Sequence, residues 1–423
     1  MVSAGALVAA GLAGCGGSSS ARDGTTTVSI AVRAHFTEQM QQITAQYHKL
    51  HPEVRFTTQT LPDDNTQYLQ RLVTARMGGK VPDVIESIDT LVNQLSSSKV
   101  TTDLTPYLAR KENGVSAGSF LPQFLGAYRP LSDSGRVEGV PVGADTYVLY
   151  YNKDLFARYH VPLPTDSWTY DDMYAASKAI TRAAKGKAFG MVQTDLQQGE
   201  YNPVIDAFGG YVYDKAKHRT GIGEPAAVKA WKYLLKPYQD GTFAPYEIGS
   251  SPSAPTFQSG RVAMLLGARK NVPTFRQQLD ADWDVAPVPT IRGKRPIGGG
   301  SYGLAISSTS RHKDAAWSFL SWFYTEKGGE TTLQNSYQIL PATKAGITDG
   351  SWKSLPAPPT RASVFADAVT GALMAPQLPK SAQGTLTTAL IAADQKVLLD
   401  GESVEDAFGA AADQVNAAIE ASR

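Results

Sequence analysis

Strand and helix patterns alternate twice along this chain, and that constrains its fold more than any other feature. Thr27 to Val32 reads as a strand. Over residues 37–50, Met40, Ile43, Tyr47 and Leu50 recur at spacings of 3, 4 and 3, one apolar helical face, and His51-Pro52 stops it. Val54-Arg55-Phe56 opens a second strand, and a helix runs through Tyr68, Leu69, Leu72 and Val73. Pro82-Asp83-Val84-Ile85 then reads as a short buried strand. Such alternation predicts an α/β domain with mostly parallel strands. Near Gly139 the pattern restarts. Val142 to Tyr151 reads as a strand, and Thr169-Tyr170-Asp171-Asp172 is a capping-box-like helix start, with Met173, Ala176, Ile180 and Ala183 on its apolar face. A second α/β unit is therefore expected over residues 140–285. Asp284–Pro289 and Tyr302–Ser307 read as further strands, the latter followed by a helix carrying Trp317, Leu320, Phe323 and Tyr324. The last helix starts at Ser403 and buries Phe408, Ala411, Ala412, Val415 and Ile419.

Composition removes several function classes. The 423 residues carry 40 basic and 39 acidic side chains, a net charge of +1, with no electrostatic footprint for nucleic acid or anionic lipid. A single cysteine excludes an internal disulfide and a four-cysteine zinc site. No apolar stretch reaches the ~18 residues a membrane-spanning helix needs. No P-loop and no G-x-G-x-x-G occurs, so no nucleotide signature is present. Neither a metal nor a cofactor is expected: His48 and His51 share a helix face, but no third ligand stands at metal spacing.

Met1 to Cys15 reads MVSAGALVAAGLAGC, a short apolar run ending in Leu12-Ala13-Gly14-Cys15, with Gly16-Gly17-Ser18-Ser19-Ser20 after it. The run has the length of a secretory apolar region and resembles a bacterial lipobox. That resemblance implies a lipid anchor on Cys15, followed by a flexible tether. The first basic residue is Arg22, whereas a signal peptide opens on Lys or Arg. The alternative is a frayed terminus with a chance cysteine.

Gly299-Gly300-Ser301-Tyr302-Gly303 matches the G-x-S-x-G nucleophile elbow. That elbow needs a helix after the serine, whereas Leu304-Ala305-Ile306-Ser307 has a strand pattern. His312 is the last histidine, and residues 302–311 hold no Asp or Glu, so the order Ser, acid, His fails. A Gly-rich turn entering a strand is the expectation. The carboxylates Glu86, Asp89 and Asp145 remain. Glu86 and Asp89 follow the strand at 82–85, and in open α/β sheets the ligand crevice lies at the carboxyl ends of strands. They suit either a glycosidase acid pair or hydrogen bonds to ligand hydroxyls. Tyr147, Tyr201, Tyr211, Tyr213, Tyr302 and Tyr337 supply aromatic faces suited to the C–H face of a sugar ring, though any one of them taken alone reads first as a half-buried packing residue.

Six segments in order resemble the extracellular solute-binding proteins of ABC transporters, the sugar-binding type that includes maltose-binding protein. Gly139-Val140-Pro141-Val142 through Tyr150-Tyr151-Asn152-Lys153-Asp154-Leu155-Phe156 carries the resemblance most strongly. Trp168 to Met173, Phe257-Gln258-Ser259-Gly260-Arg261-Val262-Ala263-Met264, and Gly298 to Ser307 with Ala315-Ala316-Trp317-Ser318-Phe319-Leu320 follow. Leu340-Pro341-Ala342 and Gly401 to Ala407 complete it.

The resemblance implies a periplasmic-binding-protein-like α/β fold: two lobes joined by hinge segments, with a ligand cleft between them. Lobe 1 is expected over 25–139 plus 290–330, and lobe 2 over 140–289 plus 331–423, after a leader and tether at 1–24. The implied protein is a non-enzymatic, extracytoplasmic, lipid-anchored monomer that binds a sugar or oligosaccharide and hands it to a transmembrane permease. The implied ligand contacts are Arg33, Glu86, Asp89, Asp145, Tyr201, Ser301 and Tyr302. Where the family commonly has G-x-W after its A-M pair, this chain has Gly267-Ala268-Arg269, so Arg269 is expected at the ligand, and the departure implies either an acidic or unusual sugar or ring stacking supplied from elsewhere. A secreted glycoside hydrolase and a binder of a non-sugar anionic solute are the alternatives.

Overall fold

The computed structural model describes residues 25–192, 198–249, 253–335, 339–354, 356–379 and 382–422. The expected leader, Cys15, the tether and Tyr337 lie outside the described residues.

Ten strands are described: β1 Thr26–Arg33, β2 Val54–Leu61, β3 Val84–Ile88, β4 Val140–Asn152, β5 Tyr213–Asp214, β6 Arg219–Thr220, β7 Met264–Ala268, β8 Trp283–Ala286, β9 Gly298–Ile306 and β10 Leu373–Met374. β5 and β6 form a small hairpin, and the other eight share one sheet, in the order β2-β1-β3-β9-β4-β7, with β8 on β4 and β10 on β9. Only β1–β2, β1–β3 and β9–β10 are parallel; β9 is antiparallel to both β3 and β4, and β4 to β7 and β8. The expectation of mostly parallel strands thus holds for the first three, and otherwise only for the short β9–β10 pair among the described strands. β9 returns from the far half of the chain and enters beside β3 in the opposite sense, which no local pattern encodes.

Alternation along the first strands builds a two-sided core. On β1, Val28, Ile30 and Val32 pack with Met40, Ile43 and Tyr47 of the helix Thr37–Leu50 and with Trp317, Phe319 and Leu320 of the helix Lys313–Trp322. Ala31, between them, faces Tyr68 and Leu72 of the helix Asn65–Met77 on the other side. A strand covered on both faces buries both side-chain sets. Leu50, expected on the apolar face, is 54% exposed because it lies in the last turn beyond the sheet. In the second half, β4, β7 and β8 are covered by the helices Tyr170–Ala184, Pro225–Gln239, Ala382–Leu398 and Val404–Glu420. Thr169 caps its helix as expected: its hydroxyl accepts from Asp172 N at 3.1 Å, and the Asp172 carboxylate accepts from Thr169 N at 2.8 Å. Ala184, rather than Ala183, is buried on that face.

β4 is the long connection. Val140 to Thr146 pairs with β9 in the first half, while Tyr147 to Asn152 pairs with β7 and β8 in the second. The register of β4 against β9 shifts between Pro141 and Gly143, a bulge that bends the strand where the two halves meet. A further connection runs beside it, where Ala144 and Leu340 exchange both backbone hydrogen bonds at 2.7 and 2.9 Å. Glycine makes these crossings close enough: a Cβ on Gly143 would stand 1.9 Å from Ile339 Cδ1, and one on Gly298 would stand 1.7 Å from the Gly199 carbonyl oxygen. The run Gly298–Gly303 is therefore part of a strand, not the turn read from its composition.

Candidate functional site

A cavity of about 310 Å³ opens where the two halves meet. Asp89 and Thr90 line it from the turn after β3, Asp145, Thr146 and Tyr147 from β4, Gly299 and Gly300 from β9, Lys270 from the turn after β7, with Gly199 and Ala375 alongside. Strand register explains the convergence. Gly300 lies opposite Asp145 on β4, and a Cβ at Gly300 would stand 3.7 Å from Asp89 Oδ2, so a side chain here would separate the two acids.

Asp89 is buried, and its Oδ2 accepts from Ser301 N at 3.0 Å while Oδ1 accepts from Thr90 N at 2.8 Å. Burial raises its carboxyl to about 7; the nearby Asp145 charge adds to the rise, and the two backbone donors oppose it. Burial likewise raises Asp145 to about 6, against the pull of Lys270. Lys270 Nζ lies 3.4 Å from Asp145 Oδ2 and donates to Tyr302 Oη at 3.1 Å. Burial alone would lower the Lys270 ammonium, but Asp145 and Tyr302 outweigh it and hold it above its ordinary value. Among the described residues, Asp145 Oδ1 and Thr146 Oγ1 are buried without a hydrogen-bond partner. Such groups cost free energy unless something donates to or accepts from them.

Arg33 and Glu86 form a buried pair at the carboxyl ends of β1 and β3. Arg33 Nη2 and Nε meet Glu86 Oε1 at 2.6 and 3.2 Å, and Arg33 N donates to Oε2 at 2.9 Å. Asn65 accepts from Nη1 at 2.9 Å, and Tyr68 Oη donates to the Glu86 carbonyl at 2.6 Å. Burial pulls the guanidinium down, and Glu86 more than offsets it. Glu86 lies within β3, opposite Leu304, rather than after the strand.

Of the eight expected contacts, Asp89 and Asp145 line the cavity, and Tyr302 adjoins it through Lys270. Arg33 and Glu86 stand behind it, committed to each other. Ser301 is buried, receiving Tyr128 Oη at 3.0 Å and donating to the Gly143 carbonyl at 2.9 Å, and its N–H holds Asp89. Tyr201 packs in the second core, 5.2 Å from Trp231 ring to ring. Arg269 is 1% exposed: its guanidinium donates to the carbonyls of Ile339 and Gln334, at 2.5 and 2.9 Å, and lies over Trp352. The structure brings neither Tyr201 nor Arg269 to the cavity. β7 ends at Ala268, so residues 269 and 270 diverge in the turn, and it is Lys270 that reaches inward. Sequence reasoning missed Lys270, although a second cation directly beside Arg269 was its available signal. Thr146 and Thr90 carried no signal beyond adjacency to an acid.

No group of three or more His, Cys, Asp or Glu side chains placed to hold a metal ion occurs among the described residues. No helix among them is long and apolar enough to cross a membrane.

A sequence profile described as bacterial extracellular solute-binding protein matches residues 33–330. The galactooligosaccharide-binding protein of Bacillus subtilis (strain 168) is 27% identical over 227 residues, 51% of this chain and 51% of that protein. The chain thus spans about half the length of that relative. The maltodextrin-binding protein of the same organism is 24% identical over 360 residues, covering 81% of this chain and 80% of that protein. Among solved structures, an ABC substrate-binding protein from Listeria monocytogenes in complex with cycloalternan superposes with a TM-score of 0.80 at 24% identity, covering 94% of this chain and 99% of that one. The sugar-binding protein MalE of Xanthomonas citri gives a TM-score of 0.77 at 20% identity, covering 94% and 98%. These likenesses establish a periplasmic-binding-protein-like fold of two α/β lobes, and the profile covers well over half of the sequence: the chain belongs to the bacterial extracellular solute-binding protein family.

Proposed function

We propose that this protein is the substrate-binding subunit of an ABC importer, capturing a carbohydrate between its lobes and delivering it unaltered to a membrane permease. The observation that carries the reading is the interlobe cavity lined by Asp89, Asp145 and Lys270, with Asp145 Oδ1 and Thr146 Oγ1 buried and without a partner among the described residues. A polyhydroxylated solute supplies both donors and acceptors to such groups, while Tyr147 and Tyr302 offer ring faces for its C–H surface. The relatives named for galactooligosaccharide and maltodextrin binding support the same class. Asp89, Asp145, Tyr302 and Lys270 are the proposed contacts. Arg33–Glu86 and Ser301 support the loops that present them.

In this reading the mature chain is a monomer tethered outside the cytoplasm through a lipid on Cys15. Tethering keeps the loaded protein near the permease and raises its effective concentration there. A solute touching both lobes favours their closure, because only the closed form makes both sets of contacts. Moving the balance from ~1:99 to ~99:1 takes about 5.5 kcal/mol of differential affinity. A few charge-assisted hydrogen bonds of about 1.5–3 kcal/mol each supply that.

The described cations argue against an anionic solute. Lys270 is paired with Asp145 and Arg33 with Glu86, while Arg269 is spent on carbonyls. The raised carboxyls of Asp89 and Asp145 also suit the acid partner of a glycosidase. Thermal-shift screening against mono- and oligosaccharides, with chromatography of each saccharide afterwards, separates the readings. Carriage predicts a raised Tm and an intact saccharide; hydrolysis predicts cleavage products that Asp145→Asn abolishes.

A further inference from the structure

Two segments cross from the first core to the second side by side. On β4, Val142 packs in the first core and Ala144 in the second; on the returning segment, Ile339 packs in the first and Leu340 in the second. Ala144 and Leu340 tie the crossings together through both backbone hydrogen bonds. A buried charged side chain reaches over this double crossing from either side. Arg269, 1% exposed, lies over Trp352 of the second core and donates to the Gln334 and Ile339 carbonyls, which precede the crossing. Glu330, 5% exposed, sits on the helix Gly329–Asn335, whose Leu333 packs in the first core. Its Oε1 accepts from Ala342 N at 3.1 Å and Thr343 N at 3.2 Å, and its Oε2 from Thr343 Oγ1 at 2.7 Å, all beyond the crossing.

The two grips are opposed: the second lobe holds the chain before the crossing, and the first lobe holds it after. Between Ile339 and Ala342 lie only Leu340 and Pro341, and the proline ring fixes one backbone angle. Hinges are a few such residues that absorb the change in backbone angles. Atoms on a rotation axis move little, so bonds gathered there survive a turn of one lobe against the other yet resist sliding. Interactions made alike in two arrangements favour neither. Resting on the carriage reading, in which the lobes close on a solute, we infer that Arg269 and Glu330 are positioning residues that pin the axis of lobe rotation at Leu340–Pro341 beside Gly143–Ala144. Arg269 thereby serves solute capture from the hinge, without touching the solute.

Spin labels on Met77→Cys and Leu163→Cys, exposed positions in the two halves, with Cys15→Ser to leave no other thiol, report interlobe distances by double electron–electron resonance in the solute-free protein. Arg269→Lys keeps the charge but gives up the fork that serves two carbonyls at once, and Glu330→Met removes the carboxylate. Each is expected to widen the distance distribution at least about 1.5-fold, with saccharide affinity held within about threefold of wild type. Glu330→Gln keeps an oxygen for the two backbone donors and an amide for the Thr343 hydroxyl, and should keep the wild-type width. Arg269→Lys decides alone if Glu330→Met does not fold. A lowered Tm with unchanged width assigns the residues a packing role and overturns the inference, as does a Glu330→Gln distribution as wide as that of Glu330→Met. A loss of affinity in Arg269→Lys that differs from one saccharide to another returns Arg269 to the solute and overturns it as well. Wild-type protein that binds no saccharide overturns the carriage reading, while the widths still decide the pinned axis.

Discussion

Arg269 and Lys270 are neighbours in the chain, yet they hold opposite sides of the junction between the lobes. Arg269 turns away from the cavity and donates to the carbonyls of Ile339 and Gln334. Lys270 turns into it and meets Asp145 on β4 and Tyr302 on β9. One two-residue step after β7 thus touches β4, β9 and the segment around Gln334 and Ile339.

The two residues should fail differently. In Arg269→Met two buried carbonyls lose their donor, and the expected loss of stability is about 2–4 kcal/mol. Lys270 is half exposed, so its ion pair is screened, and Lys270→Met should change stability by less than about 1 kcal/mol. Denaturant unfolding measures the first effect and saccharide titration the second, where Lys270→Met should be the variant that loses affinity. Equal destabilisation by the two would refute the division of labour.

Arg33→Met leaves Glu86, which is 1% exposed, with the Arg33 backbone N–H on one oxygen and the His35 ring, Nε2 at 3.8 Å, near the other. Removing one partner of a buried pair costs about 3–5 kcal/mol. The double variant Arg33→Met with Glu86→Gln should recover part of that loss in urea unfolding. Additive losses would show that the pair does not act as a unit.

Asp89 imposes a pH dependence whose sign follows from its raised carboxyl. An unfolded Asp titrates near ~4, and in the fold burial raises it to about 7. The folded state therefore holds the proton more tightly, so the stabilisation is complete below ~4 and is lost as pH rises through about 7. Wild type should lose stability relative to Asp89→Asn between pH ~4 and about 7. Comparing slopes cancels the fixed cost of the amide, which can accept only one of the two backbone donors. Parallel curves would count against a buried Asp89 that holds its proton more tightly in the fold.

Gly298→Ala places a methyl where the Gly199 carbonyl already stands. That carbonyl is backbone, so no rotamer change relieves the clash, and the helix Gln198–Ala207 must move. A loss of about 1–3 kcal/mol is expected, with weakened saccharide binding because Gly199 and Gly299 both line the cavity. An unchanged Tm would contradict the close approach of this helix to β9.

Much of this architecture was legible because it is written in local periodicity. Met40, Ile43 and Tyr47 gave the first helix, the Thr169–Asp172 box gave another, and the order of short motifs gave the family. What stayed hidden depends on contacts between distant segments. The antiparallel insertion of β9 and the strand character of Gly298–Gly303 follow from pairing across the chain. At the site, Asp89 and Asp145 were readable as acids near strand ends, and both line the cavity. Arg269 was not separable from Lys270, because which of two adjacent cations faces a cavity is set by where β7 stops. Tyr201, an aromatic face suited to a sugar by residue type, sits in a helix and packs on Trp231.

The most direct test of the central claim is calorimetric titration of the purified protein with saccharides, followed by recovery and chromatography of the bound sugar. A stoichiometric isotherm with one saccharide per chain, lost in Asp145→Ala, and a recovered sugar of unchanged length is the predicted result. No heat with any saccharide, or a sugar recovered in shorter pieces, would contradict it.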